Sequence, residues 1–347
     1  MTSVLKQKTI NGLVWSFIDN ISSHGITFII GIILARLLEP SQFGIIGLIT
    51  VFIAVSSTFI NSGFSAALIR RQDCTDTDFS TVFYFNLATG IVFYFLLFLS
   101  SPAISRFFKE PVLSPLIKVL GIVLIIDSLT IIQRTILTKR INFKLQTKIS
   151  VISVIFSGIV GILMAIRGFG VWSLVGKQIC QQTLNSLFLW FWNKWRPLLT
   201  FSMTSFKELF SFGYKLLLSG LIDTIYRNIY NLVIGKYFST AELGFYTRAN
   251  SFKSILSTNL EGIIGRVSYP VLSEIQGDPL KLKSGYKMLL KNTMYLSFIL
   301  MAGMAAVAEP MIITLIGEKW RPSIIYLQML CFRSEEHTSE LQSPNTI

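Results

Sequence analysis

Four stretches of this 347-residue chain carry ionisable side chains at helical spacing inside otherwise apolar runs. Ser16, Asp19, Asn20, Ser23 and His24 fall on one side of the first run. Lys177, Gln178, Gln181, Gln182 and Asn185 do the same in the sixth. Ser219, Asp223, Arg227 and Asn231 follow at strict four-residue steps in the seventh, and Arg248, Asn250, Lys253, Ser257 and Glu261 mark the eighth. A charge at the bilayer centre costs about 2.5–3.5 kcal/mol on the insertion scale, so charges kept there mark polar pathways. Lys177, Arg227, Arg248 and Lys253 outnumber Asp19, Asp223 and Glu261 in these runs. A modest cationic excess in a watery cavity suits an anionic cargo such as a phosphate or diphosphate. The competing reading is that these side chains only hold helices together, with Asp223 and Arg227 neutralising each other at i, i+4. His24 is either a proton-sensitive group or a hydrogen-bonded helix contact. The other runs are cleaner, with Asn61 in the second and Asp127 in the fourth as exceptions.

Signatures of covalent chemistry are absent from the sequence. It has no His/Cys cluster at metal-ligand spacing, no Walker-type glycine loop and no nucleophile elbow. The close acids Asp73, Asp76 and Asp78 read as a solvated loop with an N-capping role before the third run. Cys74, Cys180 and Cys331 are scattered and read as small apolar fillers. The chain is therefore expected not to be an enzyme, and no cofactor is implied.

The elements that must position the polar stripes are membrane spans. The chain is 52% hydrophobic and 14% charged, against roughly 25% charged in soluble domains, and its mean hydropathy is +0.60. The spacing predicts an all-α polytopic membrane protein with six spans in a first half: Asn11–Ala35, Phe43–Ile69, Thr81–Ser101, Leu113–Gln133, Ile149–Ile166 and Gly170–Trp192. Leu209–Gly235, Gly244–Leu272, Leu289–Ala308 and a tenth run from Ser323 follow, each near the ~20 residues a spanning helix needs. With the N-terminus inside, seventeen Lys and Arg fall on the inner side, including the group Arg134–Lys148, and seven on the outer. That bias predicts a cytoplasmic N-terminus. It also accounts for most of the net charge of +13, so no nucleic-acid partner is needed; anionic membrane lipid is the natural neighbour of the Arg134–Lys148 loop.

A repeat sets the architecture. Ile33–Ile46 reads ILARLLEPSQFGII, and Val233–Tyr246 reads VIGKYFSTAELGFY in ungapped register 200 residues later. Arg36 matches Lys236 and Gly44 matches Gly244. Six spans separate the copies, an even number, so the halves enter the membrane in the same direction, related by an axis along the membrane normal. The expected units are an N-terminal six-helix bundle over 1–200 and a C-terminal bundle over 201–332 that breaks off within the tenth span. Residues 333–347, RSEEHTSELQSPNTI, read as a non-native tail resembling translated sequencing adapter. Two-fold symmetry would bring the stripes of the first and seventh spans together around a central cavity.

LARLLEPSQFGIIGL (Leu34–Leu48), GFGVWSLV (Gly168–Val175), SGLIDTIYRNIYNLVIGKYFSTAELGFYTRA (Ser219–Ala249), VSYPVLSEIQGD (Val267–Asp278) and LIGEKW (Leu315–Trp320) together resemble a known family. They look like a bacterial lipopolysaccharide or exopolysaccharide flippase of the polysaccharide transporter family, in the multidrug/oligosaccharidyl-lipid/polysaccharide exporter superfamily. The likeness spans essentially Met1–Phe332. It implies two six-helix bundles working by alternating access in the inner (cytoplasmic) membrane. The implied cargo is an oligosaccharide on a polyprenyl diphosphate, with H+ or Na+ as a coupling ion. Basic cavity residues would hold the diphosphate, and Lys177, Arg227 and Arg248 are the positions that fit. A drug or cation antiporter of the same superfamily would want a net acidic cavity. A polysaccharide polymerase or ligase would want a long outer loop bearing catalytic groups, and no outer loop here is long.

Overall fold

The computed structural model describes residues 15, 22–274 and 279–332, the side chains of 258–280 and 290 excepted. Every element longer than a turn is helical among the described residues. The order is α1 (Ser22–Leu37), then α2 (Pro40–Asn61), α3 (Phe64–Arg70), α4 (Asp76–Phe108), α5 (Leu113–Leu120), α6 (Ile122–Lys139), α7 (Phe143–Ile166) and α8 (Val171–Trp192). After a linker come α9 (Met203–Tyr237), α10 (Thr240–Glu274), α11 (Pro279–Ala306), α12 (Ala308–Ile316) and α13 (Ser323–Phe332).

Two expected spans are interrupted. The second breaks between α2 and α3, where Ser62 and Gly63 take φ of 45° and 70°. The fourth is divided at Gly121, against which the ring of Tyr94 packs closely. Counting α2 with α3 and α5 with α6, five described helices are long and apolar enough to cross a membrane: Pro40–Arg70, Asp76–Phe108, Leu113–Lys139, Phe143–Ile166 and Lys281–Ala306. α9 and α10, of 35 residues each, have ample length, and α8 has 22. Their polar stripes keep them out of that apolar set.

The repeated turn folds twice in one way. α1 ends at Leu37 and α2 begins at Pro40; α9 ends at Tyr237 and α10 begins at Thr240, an identical offset of 200. Local chemistry differs between the copies. Gln42 Oε1 accepts from the Glu39 amide at 3.3 Å in the first, whereas Ser239 Oγ accepts from the Glu242 amide at 3.1 Å in the second. Both satisfy a helix-start amide that has no intrahelical partner.

The chain divides into two compact units, Met1–Leu243 and Gly244–Ile347. In the first, Phe64, Leu68, Phe79, Val82, Phe83, Ile132 and Ile136 form a buried cluster joining α3, α4 and α6, closed by Trp195 and Leu209. α1 packs on α7, where Gly158 admits the Ile30 side chain so closely that any Cβ would collide with it. α9 is held against α2 and α3 by a seam of small residues. A Cβ on Gly213 would lie 2.6 Å from the Ser62 carbonyl oxygen, and one on Gly63 equally close to the Gly213 carbonyl. The hydroxyls of Thr58 and Thr224 meet at 3.0 Å further along, and Leu48 fills the space over Gly235. Small residues allow such backbone approach between membrane helices, where packing and interhelical hydrogen bonds drive association.

In the second unit the anchor is Trp320, fully buried. Its ring meets Phe245 edge-on at 6.1 Å and lies 5.9 Å from the Arg248 guanidinium carbon. Gln328 of α13 donates to the Ala305 carbonyl of α11.

Candidate functional site

The described residues separate the polar stripes by helix. On α9, Arg227 Nε donates to Asp223 Oδ1 at 2.7 Å, one helical turn away. Their side chains are 43% and 44% exposed, so the pair stands on the surface of its unit. It is flanked by Ile222, Ile225 and Ile229, also exposed. Lys177 on α8 is half-buried, with its stem lying over Gly161 of α7. His24 is exposed on α1, beside Ser23, whose hydroxyl meets that of Ser150 on α7 at 3.1 Å. In the second unit Arg248 faces Trp320, and Lys253, further along α10, is 5% exposed. Asp19 and the side chain of Glu261 lie outside the described residues.

A second polar constellation escaped the single-helix patterns. A cavity of about 210 Å³ opens between α2, α6 and α8. Its polar lining comes from Ser57 and Asn61 on α2, Asp127, Thr130 and Arg134 on α6, and Gln182 on α8, with Ile60 and Ile131 as apolar wall. Asn61 and Asp127 are the two exceptions noted in otherwise clean spans. Isolated polar residues on separate apolar helices were the available signal; what sequence lacked was the crossing geometry that joins them. Asp127 is half-buried. Among the described residues no side chain donates a hydrogen bond to its carboxylate, although the Thr130 hydroxyl donates to its backbone carbonyl. The Asn61 carbonyl oxygen accepts from Ser65 at 2.8 Å, leaving its amide donors for the cavity.

Several basic and acidic groups prove architectural. Lys139 at the end of α6 donates to the Leu68 and Arg71 carbonyls, capping α3. Arg196 does the same for the end of α8 through the Trp190, Asn193 and Trp195 carbonyls. Cations there satisfy terminal carbonyls and the negative helix end. The acidic loop before α4 has the expected capping role: Thr75 Oγ1 accepts from the Asp78 amide, and Asp78 Oδ2 accepts from the Thr75 amide at 2.8 Å. It is not solvated throughout, however. Asp78 is 2% exposed and lies 3.7 Å from Arg71, while Asp76 accepts from the Trp195 indole at 3.1 Å. Burial was invisible in sequence because the partners come from far along the chain, Trp195 from the linker before α9 and Ser205 from α9 itself. Among the described residues no group of three His, Cys, Asp or Glu side chains is placed to hold a metal.

The profile of a family described as "Polysaccharide biosynthesis protein" matches residues 33–325. Teichuronic acid biosynthesis protein TuaB of Bacillus subtilis (strain 168) is 28% identical over 333 residues, covering 95% of this chain and 68% of that protein. Lipopolysaccharide biosynthesis protein WzxC of Escherichia coli (strain K12) is also 28% identical, covering 94% and 67%. Among solved structures, the lipid II flippase MurJ in an inward closed conformation superposes with a TM-score of 0.68 at 14% identity, covering 95% of this chain and 76% of that one. An inward-facing multidrug resistance transporter of the MATE family gives 0.64 at 17%, covering 92% and 79%. At such identities the two structures speak to fold alone: this chain is an all-α, multi-pass membrane protein.

Proposed function

The chain belongs to the polysaccharide biosynthesis protein family, and we propose that within it this protein is a flippase for polyprenyl-diphosphate-linked oligosaccharide. In this reading it resides in the cytoplasmic membrane with its N-terminus inside, as the seventeen-to-seven Lys and Arg bias supports. Two helix bundles related by an axis along the membrane normal alternate access to the cargo, without covalent chemistry, and an H+ or Na+ gradient drives the cycle. The candidate cationic contacts of the diphosphate are Arg227 and Lys177 in the first unit and Arg248 in the second, and the remaining polar candidates are Asp223, His24 and Asp19 in the first and Lys253 and Glu261 in the second.

The observation that carries this reading is the exposed Asp223–Arg227 pair on α9. A membrane helix cannot turn an ion pair to hydrocarbon without a cost of several kcal/mol, so the polar side of α9 faces water or other protein. The exposed Ile222, Ile225 and Ile229 on the same helix supply the complementary surface for lipid. A helix with one wet and one oily side suits a cargo whose head is charged and whose tail remains in the bilayer. Related folds carry out multidrug transport and lipid flipping alike; the family match and the cationic bias favour the anionic, lipid-linked cargo. The test is complementation in a strain lacking its own polysaccharide flippase. Wild-type chain restores surface polysaccharide, and Arg227→Ala or Arg248→Ala abolishes it while membrane insertion is unchanged. Full export by both variants would defeat the assignment.

A further inference from the structure

We infer that the cavity between α2, α6 and α8 is a subsite for one sugar ring, recognising neighbouring hydroxyls through Asp127, Asn61 and Gln182. A carboxylate offers only acceptors, and among the described residues no side chain donates to that of Asp127. Whatever displaces water from this half-buried carboxylate has to supply O–H or N–H groups in its place. The rest of the lining narrows the class. Asn61 brings amide donors, Gln182 brings amide donors and an acceptor, Ser57 brings a hydroxyl, Thr130 a hydroxyl oxygen that can accept, and Arg134 a guanidinium. Asp127 and Arg134 cancel in charge, so the cavity selects neither a bare anion nor a bare cation. Mixed donors and acceptors from planar side chains match vicinal hydroxyls, each of which donates once and accepts.

Size agrees with one ring. About 210 Å³ is below the ~300 Å³ at which drug-sized pockets begin; it admits a monosaccharide unit and not a whole oligosaccharide. Placement agrees as well. Arg134 lies seven residues beyond Asp127, about 10 Å along α6, toward the Lys139 end that the charge bias assigns to the cytoplasmic side. An oligosaccharide assembled there reaches this cavity on the loading side. The inference rests on the flippase reading for its cargo, but its site is independent of the Arg227 and Arg248 positions. A monovalent cation at Asp127 is the rival occupant, and the nearby Arg134 opposes it.

Saturation-transfer NMR on the detergent-purified full chain tests this, using a panel of methyl pyranosides: glucoside, galactoside, mannoside, rhamnoside and N-acetylglucosaminide. At least one pyranoside is expected to give a signal that falls at least fivefold in Asp127→Asn and in Gln182→Ala. Size-exclusion elution at the wild-type position shows that both variants fold, and Lys283→Ala, far from the cavity in sequence and exposed, keeps the full signal. No signal from any pyranoside, or signals unchanged in both variants, overturns the inference. So does ²³Na line broadening that depends on Asp127 without any pyranoside signal. The flippase reading is scored separately by export: loss of export in Arg227→Ala with no pyranoside binding removes the subsite alone, whereas pyranoside binding with no export by wild type removes the flippase reading alone.

Discussion

Two polar regions of the first unit are built in opposite ways. On α9 a single helix supplies both partners, and the four-residue step between Asp223 and Arg227 closes their ion pair. Between α2, α6 and α8, three helices each supply part of a cavity, and its carboxylate has no donor among the described residues. The first region is satisfied by its own helix and stands on the surface. The second is a shaped cavity whose half-buried carboxylate is left to solvent or to a ligand. A stripe along one helix marks where a chain is wet, whereas convergence across helices creates a place for a specific group to bind.

The largest effect expected separates structure from transport on α9. Arg227→Ala should lower export at least tenfold, yet change stability by less than ~1 kcal/mol, since exposed ion pairs contribute little. The swapped double variant Asp223→Arg/Arg227→Asp restores the pair but moves the cation by a turn. Recovery of export in that variant would reduce the pair to a helix brace and erase the contrast with the cavity.

The scaffold of α9 gives the next effect. Gly213→Ile places a side chain against the Ser62 carbonyl and should destabilise the purified protein by about 1–3 kcal/mol, read from thermal unfolding in detergent. The corresponding support of the cavity helix is Lys139, whose ammonium caps α3 from the end of α6. Lys139→Met leaves two carbonyls without that donor and should cost about 1–2 kcal/mol by the same measurement. Smallest is Thr75→Ala, which removes one half of the capping box before α4, at about 1 kcal/mol. If Lys139→Met destabilised more than Gly213→Ile, the cavity side would be the more tightly built of the two.

How much of this was legible follows from where each contact is made. The repeated turn was legible because its determinants are local: both copies break after the same position and restart three residues later. The Asp223–Arg227 pair was legible for the same reason, as helical period alone brings the two together. The six apolar runs of the first half all appear as helix, with the first described from Ser22. Crossing geometry was not legible. Nothing local in Gly63 and Gly213 says that their backbones touch, and nothing in Asn61 or Asp127 says that Gln182 will join them. The cover of the acidic loop belongs to the same class, since the Trp195 indole that reaches Asp76 and the Ser205 hydroxyl that reaches Asp78 both arrive over 110 residues later.

The most direct measurement of the central claim is transbilayer movement in proteoliposomes holding the purified chain and a short-chain polyprenyl-diphosphate oligosaccharide. A membrane-impermeant lectin reports the fraction of glycan exposed outside. Wild-type protein should bring internally facing glycan to the lectin much faster than protein-free vesicles do, and Arg227→Ala should return the rate to the protein-free level. A wild-type rate equal to that of protein-free vesicles, with the protein folded and inserted, would contradict the account.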